Sequence, residues 1–148
     1  MVDKYDEIFE AYKNFIKSRS QYDVEVVKYN TNTSTYFPLI SFELSNRIDT
    51  DTKTYKNIDN YEKYYFTINQ YTKAKKVGGK MIAPQVIDKE LEQLTIEFLH
   101  KLNMKITADK PTMNLDTSIF KRTIQAQGEI NGRYNIIRRW LKIWTSIV

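Results

Sequence analysis

Four lysines, Lys73, Lys75, Lys76 and Lys80, surround the pair Gly78-Gly79, and no acidic residue lies among them. Ammonium groups at this density suit a polyanion or an acidic partner surface; the bland alternative is a basic, flexible, solvated loop. A nucleotide-binding loop is not expected, because GxxxxGK[ST] is absent. A second basic set closes the chain. Residues 118–148 carry Lys121, Arg122, Arg133, Arg138, Arg139 and Lys142 against Glu129 alone, while charges cancel over residues 1–117, so the net charge of +5 resides in this last part. Interleaved with Phe120, Tyr134, Trp140 and Trp144, these cations suit a basic, aromatic surface for nucleic acid. They equally suit ion pairs with acids elsewhere in the fold or in a neighbouring subunit. Sequence-specific reading is not expected, because neither the ribonucleoprotein motif nor a zinc or helix-turn-helix signature occurs.

Residue types for catalysis are sparse. The chain has one histidine, His100, and no cysteine. His100 has no HxxxH, HExxH or adjacent ligand pair, so a surface histidine is the simpler reading. Thiol nucleophiles and disulfides are excluded, and no GxSxG elbow is present. Asp49-Thr50-Asp51-Thr52 places two carboxylates on one polar stretch without the glycine and terminal glutamate of a calcium loop. The expectation is therefore a protein that is not an enzyme, with no metal and no cofactor.

The elements that must position these residues follow from periodicity. Tyr5, Ile8, Phe9, Tyr12, Phe15 and Ile16 recur at three- and four-residue spacing and predict an amphipathic helix, with Asp6 and Glu7 suited to its positive end. Val24 to Tyr29 predicts a short strand, and Asn30 to Thr35 a turn or loop. Phe37 to Ser45 alternates, with Ile40, Phe42 and Leu44 on one face. Residues 46–60 read as a long polar connection. Tyr61 to Tyr71 alternates again, with Tyr64, Phe66 and Ile68 inward, which predicts antiparallel pairing with the preceding strand. Its other face is rich in tyrosine and suits cover by protein.

From Pro84 to Asn103, Ile87, Leu91, Leu94, Phe98 and Leu102 form the apolar stripe of a second helix. Asp88, Lys89, Glu92 and Lys101 are assigned to its opposite face, with Pro84 in the first turn and Asn103 as the stop. Thr107 to Asp116 reads as a polar segment. Ser118 to Glu129 and Arg133 to Ile143 then read as two strands joined at Asn131-Gly132, a type I′ hairpin signal. The apolar run Trp140 to Val148 either completes the core or docks into a neighbouring subunit. The fold class expected is α+β: one domain over residues 1–148, a mostly antiparallel sheet with two amphipathic helices packed on it, in the order α-β-β-β-α-β-β.

At 148 residues the chain can bury one core without staples, and 41% hydrophobic with 28% charged residues argues against general disorder. The charged N-terminus predicts no signal peptide, and no run approaches the roughly 20 apolar residues that span a bilayer.

The order of elements and several local sequences resemble bacteriophage tail terminator proteins, also called tail completion or head–tail joining proteins. The likeness rests on the opening helix, the strand Tyr36-Phe37-Pro38-Leu39-Ile40-Ser41-Phe42 and the aromatic strand Tyr64-Tyr65-Phe66-Thr67-Ile68. It continues through the helix from Ile87 to Leu102 and the closing strands with Arg122 and Tyr134-Asn135-Ile136-Ile137-Arg138-Arg139. It covers most of the chain as pattern and order. The resemblance implies a structural virion protein that forms a ring, commonly of six subunits, caps the tail tube and joins it to the neck. Its partners would be further copies of itself, the tail tube protein and a neck or connector protein. DNA would pass through the lumen without sequence recognition, and no membrane is involved. The site would be the tail–neck junction of the virion, reached by assembly in the host cytoplasm. On that reading Lys73, Lys75, Lys76 and Lys80 contact lumen DNA or a partner. Arg122, Arg138, Arg139, Trp140, Trp144 and Ile147 are candidates for a subunit or tube interface. The family supplies no catalytic residues. The alternatives are another connector or stopper ring component, or a nucleic-acid-binding accessory domain.

Overall fold

A computed structural model describes residues 5–29, 36–49, 61–112 and 118–131. The first element, α1 (Tyr5–Arg19), carries Asp6 and Glu7 in its first turn and Lys17 and Arg19 in its last, both matched to the helix dipole. Three strands follow: β1 (Glu25–Val27), β2 (Leu39–Asp49) and β3 (Tyr61–Thr72). A short hairpin of β4 (Lys75–Val77) and β5 (Lys80–Ile82) leads into α2 (Pro84–Lys101), and β6 (Lys105–Thr112) and β7 (Phe120–Asn131) complete the described chain. The five long-range strands form one sheet in the order β1-β2-β3-β7-β6. Only the β1–β2 pair is parallel; the others are antiparallel.

Both helices cover one face of this sheet, so the inward residues of the strands meet the apolar stripes of α1 and α2. Ile40 and Phe42 of β2, Tyr64, Phe66 and Ile68 of β3, and Ile124 and Ala126 of β7 are buried beside Ile8, Tyr12, Phe15, Ile87, Leu91 and Phe98. Aromatic rings carry the contact between layers. Tyr12 lies 4.7 Å from Phe42 and 5.2 Å from Phe98, centroid to centroid, within the range where ring pairs attract. The Tyr5 hydroxyl donates to the Phe42 carbonyl at 2.6 Å and ties the start of α1 to β2.

The stop of α2 is chemically specific. Asn103 takes φ +58°, its N–H donates to the His100 carbonyl, and the Met104 N–H donates to the Leu99 carbonyl at 2.9 Å. This pair of bonds satisfies carbonyls that the helix end would leave open, and it turns the chain directly into β6.

Several expectations need correction. Residues 46–49 extend β2 rather than opening a connection, past a bulge between Leu44 and Asn46. The Gly78-Gly79 segment is not a plain loop but the turn of a β-hairpin, with φ +58° and +83° at the two glycines. Lys105–Thr112, inside a stretch read mostly as polar linker, is an edge strand paired with β7. The element order is therefore α-β-β-β-β-β-α-β-β, within the expected α+β class. The Asn131-Gly132 turn, the return strand Arg133 to Ile143 and the apolar run Trp140 to Val148 fall, apart from Asn131, outside the described residues.

On the sheet face turned away from the helices the pattern is polar. Asn69 Oδ1 accepts from Thr123 Oγ1 at 2.8 Å, and Thr112 and Thr123 share a hydroxyl contact at 3.1 Å. Tyr71, Leu39 and Ser41 on this face are nevertheless buried. Among the described residues no helix is long and apolar enough to cross a membrane.

Candidate functional site

Two charged regions stand out, and they are built differently. The first is centred on Arg122. Register places it on the inward face of β7, across from Gln70 of β3 and Pro111 of β6. Helix α2 lies above and presents Asp88, Glu92 and Thr95 at spacings of four and three, one polar stripe beside the apolar stripe of Ile87, Leu91 and Phe98. The assignment of Asp88 and Glu92 to the outer face of α2 is thus corrected: both point at the sheet, and the Asp88 side chain is only 2% exposed. Arg122 is the reason. Its Nε donates to Asp88 Oδ2 at 2.8 Å, and its Nη1 reaches Glu92 Oε2 at 2.6 Å and Asp109 Oδ1 at 2.9 Å.

From this hub a hydrogen-bonded chain runs through the core. Gln70 Nε2 donates to Asp88 Oδ1 at 3.1 Å, Thr95 Oγ1 donates to Gln70 Oε1 at 3.2 Å, and the Tyr12 hydroxyl meets Thr95 Oγ1 at 2.7 Å. Four elements, α1, α2, β3 and β7, are linked in this way, and Asp109 adds β6. Every polar group in the chain has a partner, which is the condition for burying it without a net penalty.

Three carboxylates face one guanidinium, so the cluster holds more negative than positive charge. Burial raises the Asp88 carboxyl above its ordinary value even though Arg122 opposes the shift. Glu92 is raised by burial first and then by its hydrogen bond with Asp109, against the opposing charge of Arg122. Burial opposes the charge on Arg122, but its bonds to Asp88 and Asp109 prevail and raise its pKa.

Chemically, the guanidinium occupies the place where a cation would sit between these acids. Among the described residues no group of three or more His, Asp and Glu is arranged to hold a metal. A shallow hollow borders another face of α2, lined by Gln93, Ile96, Glu97, His100 and Lys101, and none of its residues belongs to the hub. The cluster fastens α2 to the strands beneath it. Arg122, a candidate interface residue, is placed by the structure inside this brace.

The second region is the β4–β5 hairpin. Register pairs Lys75 with Ile82, Lys76 with Met81 and Val77 with Lys80. Lys73, Lys76 and Lys80 are exposed and Lys75 is half-buried. Ile82 packs against the core and anchors the base of the hairpin. Toward the tip, Val77 and Met81 are exposed, the latter 69%, and Val86 in the first turn of α2 is 58% exposed. The Lys73 ammonium lies 5.5 Å from the Phe37 ring centre. None of the four lysines forms an ion pair with a described residue.

Arg138, Arg139, Trp140, Trp144 and Ile147 lie outside the described residues, as does Asp51. His100 is exposed on α2. What reading the sequence missed is the Arg122 partnership. Its only signal was Asp88 and Glu92 four apart and flanking the apolar stripe, which solvated helices also show.

No family model matches the chain, and no curated protein matches it.

Proposed function

We propose that this chain is a structural, non-catalytic subunit that assembles into a ring at the tail–neck junction of a bacteriophage, as a tail terminator. The reading starts from the resemblance in element order and local sequence. The observation that supports it most is the β4–β5 hairpin, which pairs with no other strand of the described chain. An isolated two-stranded hairpin is marginal in water. Exposed Val77, Met81 and Val86 at and beside it offer an apolar contact that a neighbouring subunit would cover. The braced core beneath gives such a contact a rigid base. The nearest competing reading, another connector or stopper ring, uses the same surface and differs in which neighbour it meets.

The test is solution mass by light scattering after size exclusion, at low and high salt, with and without tail tube protein. A salt-resistant species near six times the 17.6 kDa of one chain is expected. Met81→Asp should shift it toward smaller species, because a buried charge in the contact is unpaired. A monomer under every condition, tube protein included, would overturn the proposal.

A further inference from the structure

We infer that the surface receiving the hairpin is the β1 edge of a second copy of this chain, where two exposed tyrosines stand among acids. Among the described residues the exposed large apolar side chains are Tyr29, Tyr36, Val77, Met81 and Val86. They fall into two groups of opposite charge. Val77, Met81 and Val86 lie at or beside the β4–β5 hairpin, with exposed Lys73, Lys76 and Lys80. Register puts Lys76 and Met81 together on the hairpin face opposite Ile82, which packs against the core. Met81, 69% exposed, is therefore a projecting apolar group with a cation beside it. Tyr29 and Tyr36 flank β1, which is an edge of the sheet and pairs only with β2 among the described residues. The Glu25 N–H donates to the Pro38 carbonyl at 3.0 Å, which brings Tyr36 beside the start of β1. There the Tyr36 hydroxyl donates to Asp23 Oδ2. Tyr29 follows two residues after the strand ends.

Acids crowd this edge. Asp6, Glu10, Asp23 and Glu25 are exposed there, against Lys28 and the half-buried Lys13 one turn past Glu10. Lys28 is bound to Asp6 Oδ1, with its ammonium over the Tyr5 and Phe9 rings. The Tyr36 hydroxyl is raised above its ordinary value first by its bond to Asp23, then by desolvation and the negative charges of Asp23 and Glu25. Both acids thus act on the exposed ring. Acids elsewhere serve the fold. Asp88, Glu92 and Asp109 meet Arg122, Glu97 meets Arg19 and Lys101, and Glu90 accepts from Gln21. A surface of tyrosine and acid complements one of methionine and lysine. The apolar groups make the centre of the contact, and the opposite charges make its rim. Within one chain no ion pair among the described residues joins the two surfaces. A second copy is the occupant because each chain carries both halves, and a contact between unlike patches repeats from copy to copy until it closes. The contact rests on the reading of the hairpin as a subunit surface, and adds the face that meets it.

Charge reversal on each side tests the contact, read by sedimentation velocity over a range of concentrations, with and without tail tube protein. Lys76→Glu/Lys80→Glu reverses the hairpin, and Asp23→Lys/Glu25→Lys reverses the edge. Each variant should associate at least about tenfold more weakly than the parent, because like charges then face each other. An equimolar mixture of the two should recover the parent's species to within about threefold, since each reversed patch meets one of opposite sign on the other variant. Circular dichroism should be unchanged in both. If the edge variant misfolds, Glu25→Lys alone, which keeps the Asp23 bond to Tyr36, takes its place. Raised salt should slow assembly of the parent without dissolving the product, as a charged rim around an apolar centre requires. Parent-like association of either reversed variant overturns the contact and leaves the ring reading standing. So does a mixture that stays as weak as its components. Rescue in the mixture with a parent that stops at two subunits keeps the contact and overturns the ring. A parent that is monomeric under every condition, tube protein included, overturns both.

Discussion

Arg122 and the hairpin lysines are charged alike and do opposite work. Arg122 meets three carboxylates within 2.9 Å, and its side chain is 16% exposed. The lysines at the hairpin meet no acid among the described residues; Lys73, Lys76 and Lys80 are exposed and Lys75 is half-buried. In the first region the positive charge is more than balanced inside the chain, so its removal is felt by the fold. In the second the balance is missing, so removal is felt only by whatever anion or subunit lies outside. Net charge alone does not separate the two; partnership does.

The largest effect that tests this contrast is expected from Arg122→Met. It leaves Asp88, Glu92 and Asp109 facing one another with Asp88 buried, and should cost about 3–5 kcal/mol in urea unfolding at neutral pH. A loss under about 1 kcal/mol would mean that the brace is ornamental. Acidification should restore part of the loss. Asp88 and Glu92 sit above their ordinary values of 3.8 and 4.5, chiefly through burial. A carboxyl raised in the folded state binds its proton more tightly there than in the unfolded chain. Its stabilising contribution is therefore complete below the unfolded pKa and lost as pH rises through the folded value. Stability of the Arg122→Met variant should fall with rising pH from about 4.5 upward, more steeply than that of the parent.

Next in size is Thr95→Val, which deprives both the Tyr12 hydroxyl and Gln70 Oε1 of a buried partner. It should cost about 1–3 kcal/mol, and Tyr12→Phe in the same background should return part of that, because it removes one of the orphans. Thermal unfolding of the two singles and the double measures the coupling. Additive losses would show that the two groups act apart.

Gly79→Ala should be smaller and local. The position has φ +83°, so an L side chain costs about 1–2 kcal/mol there. Hydrogen exchange should report faster exchange in β4 and β5 with the five-stranded sheet unchanged. Exchange that accelerates throughout the sheet would mean the hairpin is part of the cooperative core. Smallest of all is Lys73→Gln/Lys75→Gln/Lys76→Gln/Lys80→Gln, with stability within about 0.5 kcal/mol of the parent. A larger loss would show hidden internal partners and erase the contrast with Arg122.

How far this contrast was legible beforehand varies by residue. The stripes Tyr5-Ile8-Tyr12-Phe15 and Ile87-Leu91-Phe98 identified both helices, since a period near 3.6 admits one apolar face. Tyr64, Phe66 and Ile68 against Phe42 and Ile40 likewise declared an antiparallel pair by alternation alone. The hairpin signal was present too, in a two-residue Gly-Gly step between short flanks, but the lysines around it resembled a solvated loop. Ala108, Asp109, Lys110 and Pro111 carry little strand propensity, and their strand exists because β7 offers an edge and Arg122 holds Asp109.

By itself, then, the sequence determined the class of fold, the inward faces of both helices and of the central strands, and the concentration of unopposed lysines around Gly78-Gly79. Local periodicity and turn chemistry are enough for each of these. Tertiary structure decided which charges are spent. Asp88, Glu92, Asp109 and Arg122 come from three elements and up to 34 positions apart, and only the register of β7 under α2 brings them within bonding distance. Coulomb energy depends on that distance and on burial, and neither can be read along a chain.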